Sequence, residues 1–428
     1  MNITFIGSGY VGLVSGTMLA ELGHNVTCLD TNAAKIADLK KGILPIYEPG
    51  LDQYLASNMA NGRLTFSSTY DAQLKESSAV FITVWTPTLE SGEADLSFIF
   101  DAVDNLIPFI NDDCVIVIKS TVPPGTCGKV SDMLKARNLN YAVASNPEFL
   151  REGSAIADFI SPLRIVVGSS NPNAKKVLEE IYAPQTSKGF LLINTDPATS
   201  ELIKYASNAF LATKLAFINE IANLCEKIPA NIEELTHAMG LDPRIGKEFL
   251  KAGPGFGGSC FPKDILALST IAKNYKTDFQ VLDAVINSNK QRPSFMVEKI
   301  KNILGTLQDK NIAVLGLTFK ANTDDIRSSP AIDIINLLIQ EKANILSFDP
   351  EGMDNARAIL KSVSFANSSA EACVNADGLI ILTEWEEFKN MNFKEIYNSM
   401  KNPVIIDLRN ILKRDVLTNI GFEYHSVG

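Results

Sequence analysis

Gly7-Ser8-Gly9-Tyr10-Val11-Gly12 follows the apolar run Ile3–Ile6 at once and opens an apolar stretch, Val11–Leu22, that reads as a helix. That order constrains the chain more than any other feature. Spaced glycines between a strand and a helix are needed where the first makes a tight turn, the second lets a phosphate approach the backbone and the third lets helix and strand pack closely. Asp30 ends the next apolar run, Val26–Leu29, and stands 18 residues beyond Gly12. A carboxylate there accepts hydrogen bonds from ribose hydroxyls and repels a 2′-phosphate, which favours NAD over NADP. Lys35 falls one turn into the following helix and is read either as a cofactor contact or as a solvated lysine.

The alternation of short apolar runs with amphipathic stretches continues to about residue 190, with strands expected at Val80–Val84, Val115–Lys119, Tyr141–Ala144 and Ile165–Val167. This is the pattern of a parallel sheet covered by helices. From Pro197 to Lys227 the chain reads as one long helix without an internal breaker, with Leu202, Tyr205, Ala209, Phe210, Thr213, Phe217 and Ile221 at helical spacing. Such a helix serves more often as a core spacer or dimer element than as a surface one. Further helices are expected at Phe279–Lys290 and Met296–Leu304, and Asn311 restarts the α/β pattern, continued by Ile345–Phe348, Gly378–Leu382 and Val404–Asp407. The expected fold is therefore α/β: two Rossmann-like doubly wound parallel-sheet domains, joined by a long central helix and a helical middle region. The boundaries drawn are 1–196, 197–304 and 305–428.

Composition removes several classes of function. The 428 residues are 46% hydrophobic and 21% charged with a net charge of −10, which opposes nucleic-acid binding as a main role. No run of about 18 apolar residues marks a membrane span, and the first residues enter a strand without a signal-peptide pattern, so the expected location is cytoplasmic. Six scattered cysteines without a C-x-x-C pair and three distant histidines argue against a disulfide scaffold and a metal centre.

One cysteine has an unusual setting. In Ala252-Gly-Pro-Gly-Phe-Gly-Gly-Ser-Cys-Phe-Pro-Lys-Asp264, Cys260 sits on a glycine-rich turn where a helix begins, with Pro262 suited to its first turn. Unpaired N–H groups at a helix start favour thiolate over thiol. A free cysteine is, however, more often a small buried hydrophobe, and the turn alone leaves that reading standing. Other candidates carry the same ambiguity. Glu148 and Glu152 follow the strand Tyr141–Ala144 and could face a crevice or merely cap; Lys204 and Asn208, four apart, share a helix face, yet a mid-helix lysine is usually solvated. Thr86-Pro87-Thr88 and Ser120-Thr121 end strands at the edge where open parallel sheets bind ligands.

Taken together, Gly7–Gly12, Thr86–Thr88, Lys119–Pro123, Asn146–Gly153, Lys204-x-x-x-Asn208, Asp242–Gly246, Gly253–Asp264, Gly316–Lys320 and Asp324–Ser328 resemble the nucleotide-sugar dehydrogenases over essentially the whole chain. Within that UDP-glucose/GDP-mannose dehydrogenase family, the Asp-Pro-Arg-Ile-Gly run and Phe261 fit the UDP-glucose branch better than the GDP-mannose or UDP-N-acetylmannosamine branches. The resemblance implies oxidation of the primary alcohol of UDP-glucose to the carboxylate of UDP-glucuronate, a polysaccharide precursor, with two NAD and one water. It implies that a water near Asp264, Asn208 and Thr121 assists the first step, that Lys204 stabilises an oxyanion, that Cys260 traps the aldehyde, and that Glu148 guides water onto a thioester. For the cofactor it implies Gly7, Gly9, Tyr10, Val11, Gly12, Asp30, Lys35, Thr86, Thr88, Thr121, Glu152 and Arg327. For the nucleotide sugar it implies Glu148, Phe149, Leu150, Arg151, Glu152, Lys204, Asn208, Phe249, Leu250, Lys251, Ala252, Gly253, Gly257 and Lys320, with Arg409 a weaker candidate. Arg244 would reach the substrate of a neighbouring subunit, so a homodimer is expected. A non-catalytic NAD-sensing scaffold is the rival from another class, and the joint presence of Cys260, Lys204 and Glu148 speaks against it.

Overall fold

The computed structural model describes Met1 to Gly428 and divides into two compact units, Met1–Ser207 and Asn208–Gly428. The first is built on eight strands: β1 (Asn2–Ile6), β2 (Asn25–Leu29), β3 (Leu64–Ser67), β4 (Ala79–Ile82), β5 (Val115–Ile118), β6 (Ala142–Ser145), β7 (Ile165–Gly168) and β8 (Leu192–Thr195). They lie in the order β3-β2-β1-β4-β5-β6-β7-β8. Strands β1 to β6 are parallel, whereas β7 meets β6 in antiparallel sense through Ser145 and Gly168 and is parallel to β8.

Both faces of the central strands are covered, which explains their continuous apolar composition. Phe5, Phe81 and Val117 point into one core with Leu13 and Met18, while Ile6, Ile82 and Ile118 point into the other with Ile99 and Val130. The period-two alternation of strands assigns successive residues to opposite faces. The rings of Phe5 and Phe81 stack at 4.8 Å across β1 and β4. Two strands escaped the sequence reading, β3 and β8. Each is four residues long at a sheet edge, so one side goes unpaired and no continuous apolar run is required.

The chain passes from one unit to the next within the helix Pro197–Cys225. Its apolar residues, read above as one stripe, fall on two faces. Tyr205, Ala209, Ala212 and Ala216 are buried, whereas Leu202, Phe210, Phe217 and Leu224 are exposed.

The second unit carries β9 (Asn311–Leu315), β10 (Asn344–Phe348), β11 (Ser364–Phe365), β12 (Gly378–Ile381), β13 (Val404–Asp407) and β14 (Glu423–Ser426), all parallel in the order β11-β10-β9-β12-β13-β14. Here too the edge strands β11 and β14 were not foreseen. Two helices expected at Phe279–Lys290 and Met296–Leu304 are one, Gln280–Leu304, with Pro293 inside it. An interior proline costs about 3 kcal/mol. Met296, Val297 and Ile300 pack into the same buried cluster as Ile334, Ile335 and Leu338 of the helix Pro330–Gln340, and this burial outweighs the lost bond. No helix is long and apolar enough to cross a membrane.

Candidate active site

In the first unit the strand order reverses between β1 and β4, the place where open sheets leave a crevice. Gly7 has φ of +100°, and a Cβ there would lie 2.6 Å from the Thr83 carbonyl oxygen. A Cβ on Gly12 would lie 1.9 Å from the Gly7 oxygen, so neither position admits a side chain. Gly9 differs: it caps the helix Tyr10–Glu21, and nothing lies within 4 Å of its would-be Cβ. Two glycines shape the turn, and the third leaves room above helix N–H groups, which suits a pyrophosphate. Thr83, unmarked in the sequence, locks the turn by donating to the carbonyls of Ile6 (3.0 Å) and Gly7 (2.8 Å).

Asp30 accepts the Ser8 amide at 2.9 Å, the Asn32 amide at 3.0 Å and the Lys35 ammonium at 2.8 Å. Burial works against its charge, but the Lys35 hydrogen bond and the two amides outweigh it and hold the carboxyl below its usual range. Lys35 is therefore Asp30's ion-pair partner. Tyr10 donates to Glu48, which also accepts the amides of Gly153 (2.6 Å) and Ala155 (2.8 Å). Burial, then Glu48, raises the Tyr10 phenol far above its ordinary value. Nothing in its local sequence marked Glu48 as the tie between the glycine turn and the Asn146–Gly153 loop.

That loop holds a buried ion pair. Glu148 and Lys204 meet at 2.9 Å with side chains 5% and 4% exposed, and the Leu150 amide donates to the same carboxylate at 2.5 Å. Burial alone would raise the Glu148 carboxyl; the charge and hydrogen bond of Lys204, the Leu150 amide and the charge of Lys119 reverse the sign and lower it. Phe149 lies 4.0 Å beneath the Arg164 guanidinium. Asn146, at the head of the loop, accepts from Lys119 (3.1 Å) and from the Tyr182 hydroxyl (2.6 Å). Thr86 donates to the Thr121 carbonyl at 3.0 Å, joining two strand ends, while Thr88 bridges Ala94 in a short hairpin. Arg151 is exposed and bound to Asp158, and Glu152 is half-buried, its charge felt by Tyr10.

In the second unit Cys260 is the N-cap residue of the helix Phe261–Asn274, with proline in the first turn and its carbonyl receiving the Asp264 amide at 2.8 Å. The other five cysteines are buried; burial pushes Cys28, Cys114 and Cys373 up to about 12. Cys260 alone is partly exposed, with Ser259 Oγ 3.5 Å from its sulfur. Asp264, 1% exposed, accepts from Asn208 at 2.7 Å and from Lys263 at 2.8 Å.

The glycine-rich turn is fastened from beneath. Asn219 accepts the Gly253 amide (2.8 Å), Arg292 donates to the Gly253 carbonyl (2.9 Å), and Asn289 binds both amide and carbonyl of Phe256 at 2.9 and 3.0 Å. Gly257 and Gly258 press against the loop after β9: their would-be Cβ atoms lie 2.1 Å from the Ser328 oxygen and 2.8 Å from the Phe319 ring. The same loop carries Lys320 beside the Phe319 ring and Arg327 paired with Asp325, and Arg409 donates to the Phe319 carbonyl at 2.8 Å. Phe249, with φ of +62°, packs on Phe261; Leu250 and Ala252 are buried and Lys251 exposed. Arg244 points outward, held by Asp242. The second unit thus gathers Cys260, Asp264, Asn208, Gly253, Gly257, Lys320, Arg327 and Arg409, and the first gathers Glu148, Lys204, Thr86, Thr121, the glycine turn and Asp30.

The chain matches three family models in succession: the UDP-glucose/GDP-mannose dehydrogenase family NAD binding domain over residues 1–186, its central domain over 198–291 and its UDP binding domain over 313–414. A UDP-glucose 6-dehydrogenase of Rickettsia felis is 56% identical, covering 100% of this chain and 96% of its own. Among solved structures, a UDP-glucose dehydrogenase from the archaeon Pyrobaculum islandicum superposes with a TM-score of 0.91 at 35% identity, covering 100% of this chain and 97% of that one. The UDP-N-acetyl-mannosamine dehydrogenase of Staphylococcus aureus superposes at 0.82 and 26%, covering 100% and 98%. By full-length identity, by three consecutive domain matches and by fold, this chain belongs to the UDP-glucose/GDP-mannose dehydrogenase family.

Proposed function

We propose that the protein is a cytoplasmic, NAD-dependent UDP-glucose 6-dehydrogenase that converts UDP-glucose to UDP-glucuronate. The supporting observation is the setting of Cys260, the one cysteine of six outside the core, placed at a helix N-terminus on a glycine-rich turn. The glycine turn and Asp30 fit NAD, with Tyr10, Val11, Lys35, Thr86, Thr88, Thr121, Glu152 and Arg327 as further contacts. NAD held there would supply the hydride acceptor for each of two successive oxidations, two per carboxylate formed.

The protein's own groups do the rest. A water held near Asp264, Asn208 and Thr121 relays the C6 hydroxyl proton to the Asp264 carboxylate, itself held by Asn208, as the alcohol becomes an aldehyde. The Lys204 ammonium stabilises the oxyanion that develops on that oxygen. The Cys260 thiolate adds to the aldehyde carbon and forms a C–S bond, giving a thiohemiacetal whose oxidation leaves a thioester. Glu148 removes a proton from water as it attacks the thioester; the C–S bond breaks, the thiolate leaves and the carboxylate is formed. Phe149–Glu152, Phe249–Gly253, Gly257, Lys320 and Arg409 hold the nucleotide sugar, Lys320 as a cation for the pyrophosphate. The exposed seven-residue repeat Phe210, Phe217, Leu224 supports a homodimer through the long helix, with Arg244 reaching the partner's substrate.

The test is NADH formation with UDP-glucose, GDP-mannose and UDP-N-acetylmannosamine. UDP-glucose should turn over at least tenfold more efficiently than the others, and no turnover with it overturns the assignment. Cys260→Ala should bind NAD and UDP-glucose with near-normal affinity by calorimetry while making no UDP-glucuronate.

A further inference from the structure

Lys119, directly after β5, is 4% exposed. Its ammonium donates to the side-chain oxygen of Asn146 at 3.1 Å and to the Asn146 carbonyl at 3.4 Å. Both acceptors are neutral. A buried ammonium satisfied only by neutral oxygens is costly unless a charge nearby compensates it. The compensating charge is Glu148, two residues beyond Asn146. Burial pushes the lysine down to about 8; Glu148 draws it back up and Lys204 pushes it down.

The surroundings of Glu148 form a small electrostatic cluster. Lys204 reaches it from the long helix at 2.9 Å, the Leu150 amide donates from its own loop, and Lys119 acts on it from the end of β5. Arg164, preceding β7, covers the ring of neighbouring Phe149. The Tyr182 hydroxyl faces Asn146, whose side-chain amide in turn donates to the Val166 carbonyl at 2.8 Å, so the platform under Glu148 is fixed. One buried carboxylate therefore has one ammonium in contact, Lys204, and a second, Lys119, fixed on Asn146 two residues before it.

We propose that Lys119 is a positioning residue whose charge keeps Glu148 ionised while Lys204 is drawn to the oxyanion of the substrate. The inference rests on the reading of Glu148 as the hydrolytic base and Lys204 as the oxyanion partner. As negative charge grows on the substrate oxygen, Lys204 must serve two anions. A carboxylate buried as deeply as Glu148 would take up a proton if its partner weakened, and would be lost as a base. Lys119, tied to Asn146, remains with the carboxylate throughout.

Charge and burial together set the sign of the pH effect. Glu148 has a lowered carboxyl, so its base form persists as pH falls until that depressed value is reached. Removing the Lys119 charge raises it and moves the acid limb of thioester hydrolysis to higher pH, by about one unit.

The test is single-turnover hydrolysis monitored against pH in the full-length enzyme, with Lys119→Met and Lys119→Arg beside the parent. The methionine variant should show the shifted limb, and arginine, which keeps the charge, should leave the limb in place. A purely structural role lowers the rate equally at every pH in Lys119→Met, and an unmoved limb overturns the proposal. If circular dichroism shows that the methionine variant has lost its fold, Lys119→Gln takes its place, since its amide can still serve Asn146. Glu148→Gln separates the two layers. If it fails to accumulate acyl-enzyme, the base reading itself falls; if it accumulates but the limb is unmoved, only the role of Lys119 falls.

Discussion

The two sheets turn the same corner in two different ways. Gly7 comes after β1 with φ of +100° and Gly316 after β9 with φ of +99°; each donates its amide to the end of the neighbouring strand, Leu29 and Phe348. Each presses on a threonine after the strand across the switch point, Thr83 and Thr383. Each has an aspartate after the strand on the other side, Asp30 and Asp349. There the likeness stops. Asp30 keeps a side chain 13% exposed beside the open Gly9. Asp349 is fully buried and accepts from the amides of Leu317, Thr318, Glu351 and Gly352, the Thr318 hydroxyl and the Trp385 indole.

The two corners diverge in the residues just beyond the first glycine. After Gly7 a helix begins within three residues and offers its N–H groups to a phosphate. After Gly316 comes a loop through Ser329, and its first turn spends its donors on Asp349. One corner is left open for a dinucleotide; the other is closed and used to carry Phe319, Lys320 and Arg327 against the Cys260 turn. The same scaffold thus supplies an open glycine turn once and a support for the Cys260 turn once.

The largest effect that sharpens this comparison is expected from an added methyl group at either corner. Gly12→Ala and Gly316→Ala place Cβ atoms 1.9 Å and 2.4 Å from their neighbours, so each should lower stability by about 2–3 kcal/mol. Only Gly12→Ala should also abolish NAD binding, as calorimetry on the folded fraction will show; loss of NAD affinity in both would mean the corners are not distinct. The aspartates come next. Asp349→Ala should cost about 2 kcal/mol in denaturant unfolding, because it strands buried donors, and leave the NAD preference unchanged. Asp30→Ala should weaken NAD about tenfold, raise relative use of NADP and change stability less.

Acid gives a milder probe. Asp30 has a depressed carboxyl, so what its charge contributes is present above the unfolded value near 4 and lost as pH falls through the folded one. NAD affinity measured at rising acidity should fall below about pH 4 in the parent and stay flat in Asp30→Asn. Lys35→Ala should do least, about twofold in NAD affinity, since a partly exposed ion pair contributes under about 1 kcal/mol.

Much of the molecule was legible in the sequence where function demands a local pattern. The glycine turn with Asp30 18 residues beyond Gly12, the strand-end threonines and the cysteine turn are all read from short stretches of chain. The features that escaped are long-range. Glu48 reaches Tyr10, Gly153 and Ala155 across 38 to 107 positions, and nothing in its own neighbourhood signals a buried carboxylate. Lys119 and Asn146 stood inside recognised motifs, but their contact depends on strand order, β5 beside β6. The helices expected at Phe279–Lys290 and Met296–Leu304 join through Pro293 because the packing that holds them as one comes from residues 330 to 340. The exposed face of the long helix was hidden because spacing alone cannot tell a buried stripe from an uncovered one.

The central claim is that Cys260 carries the acyl group and Glu148 releases it. Glu148→Gln mixed with UDP-glucose and NAD, quenched in acid and mapped by peptide mass spectrometry, tests it most directly. The expected result is a UDP-glucuronyl adduct on the peptide bearing Cys260, absent in the Cys260→Ala, Glu148→Gln double variant. Two NADH formed per UDP-glucose with no adduct on Cys260 at any time would contradict it.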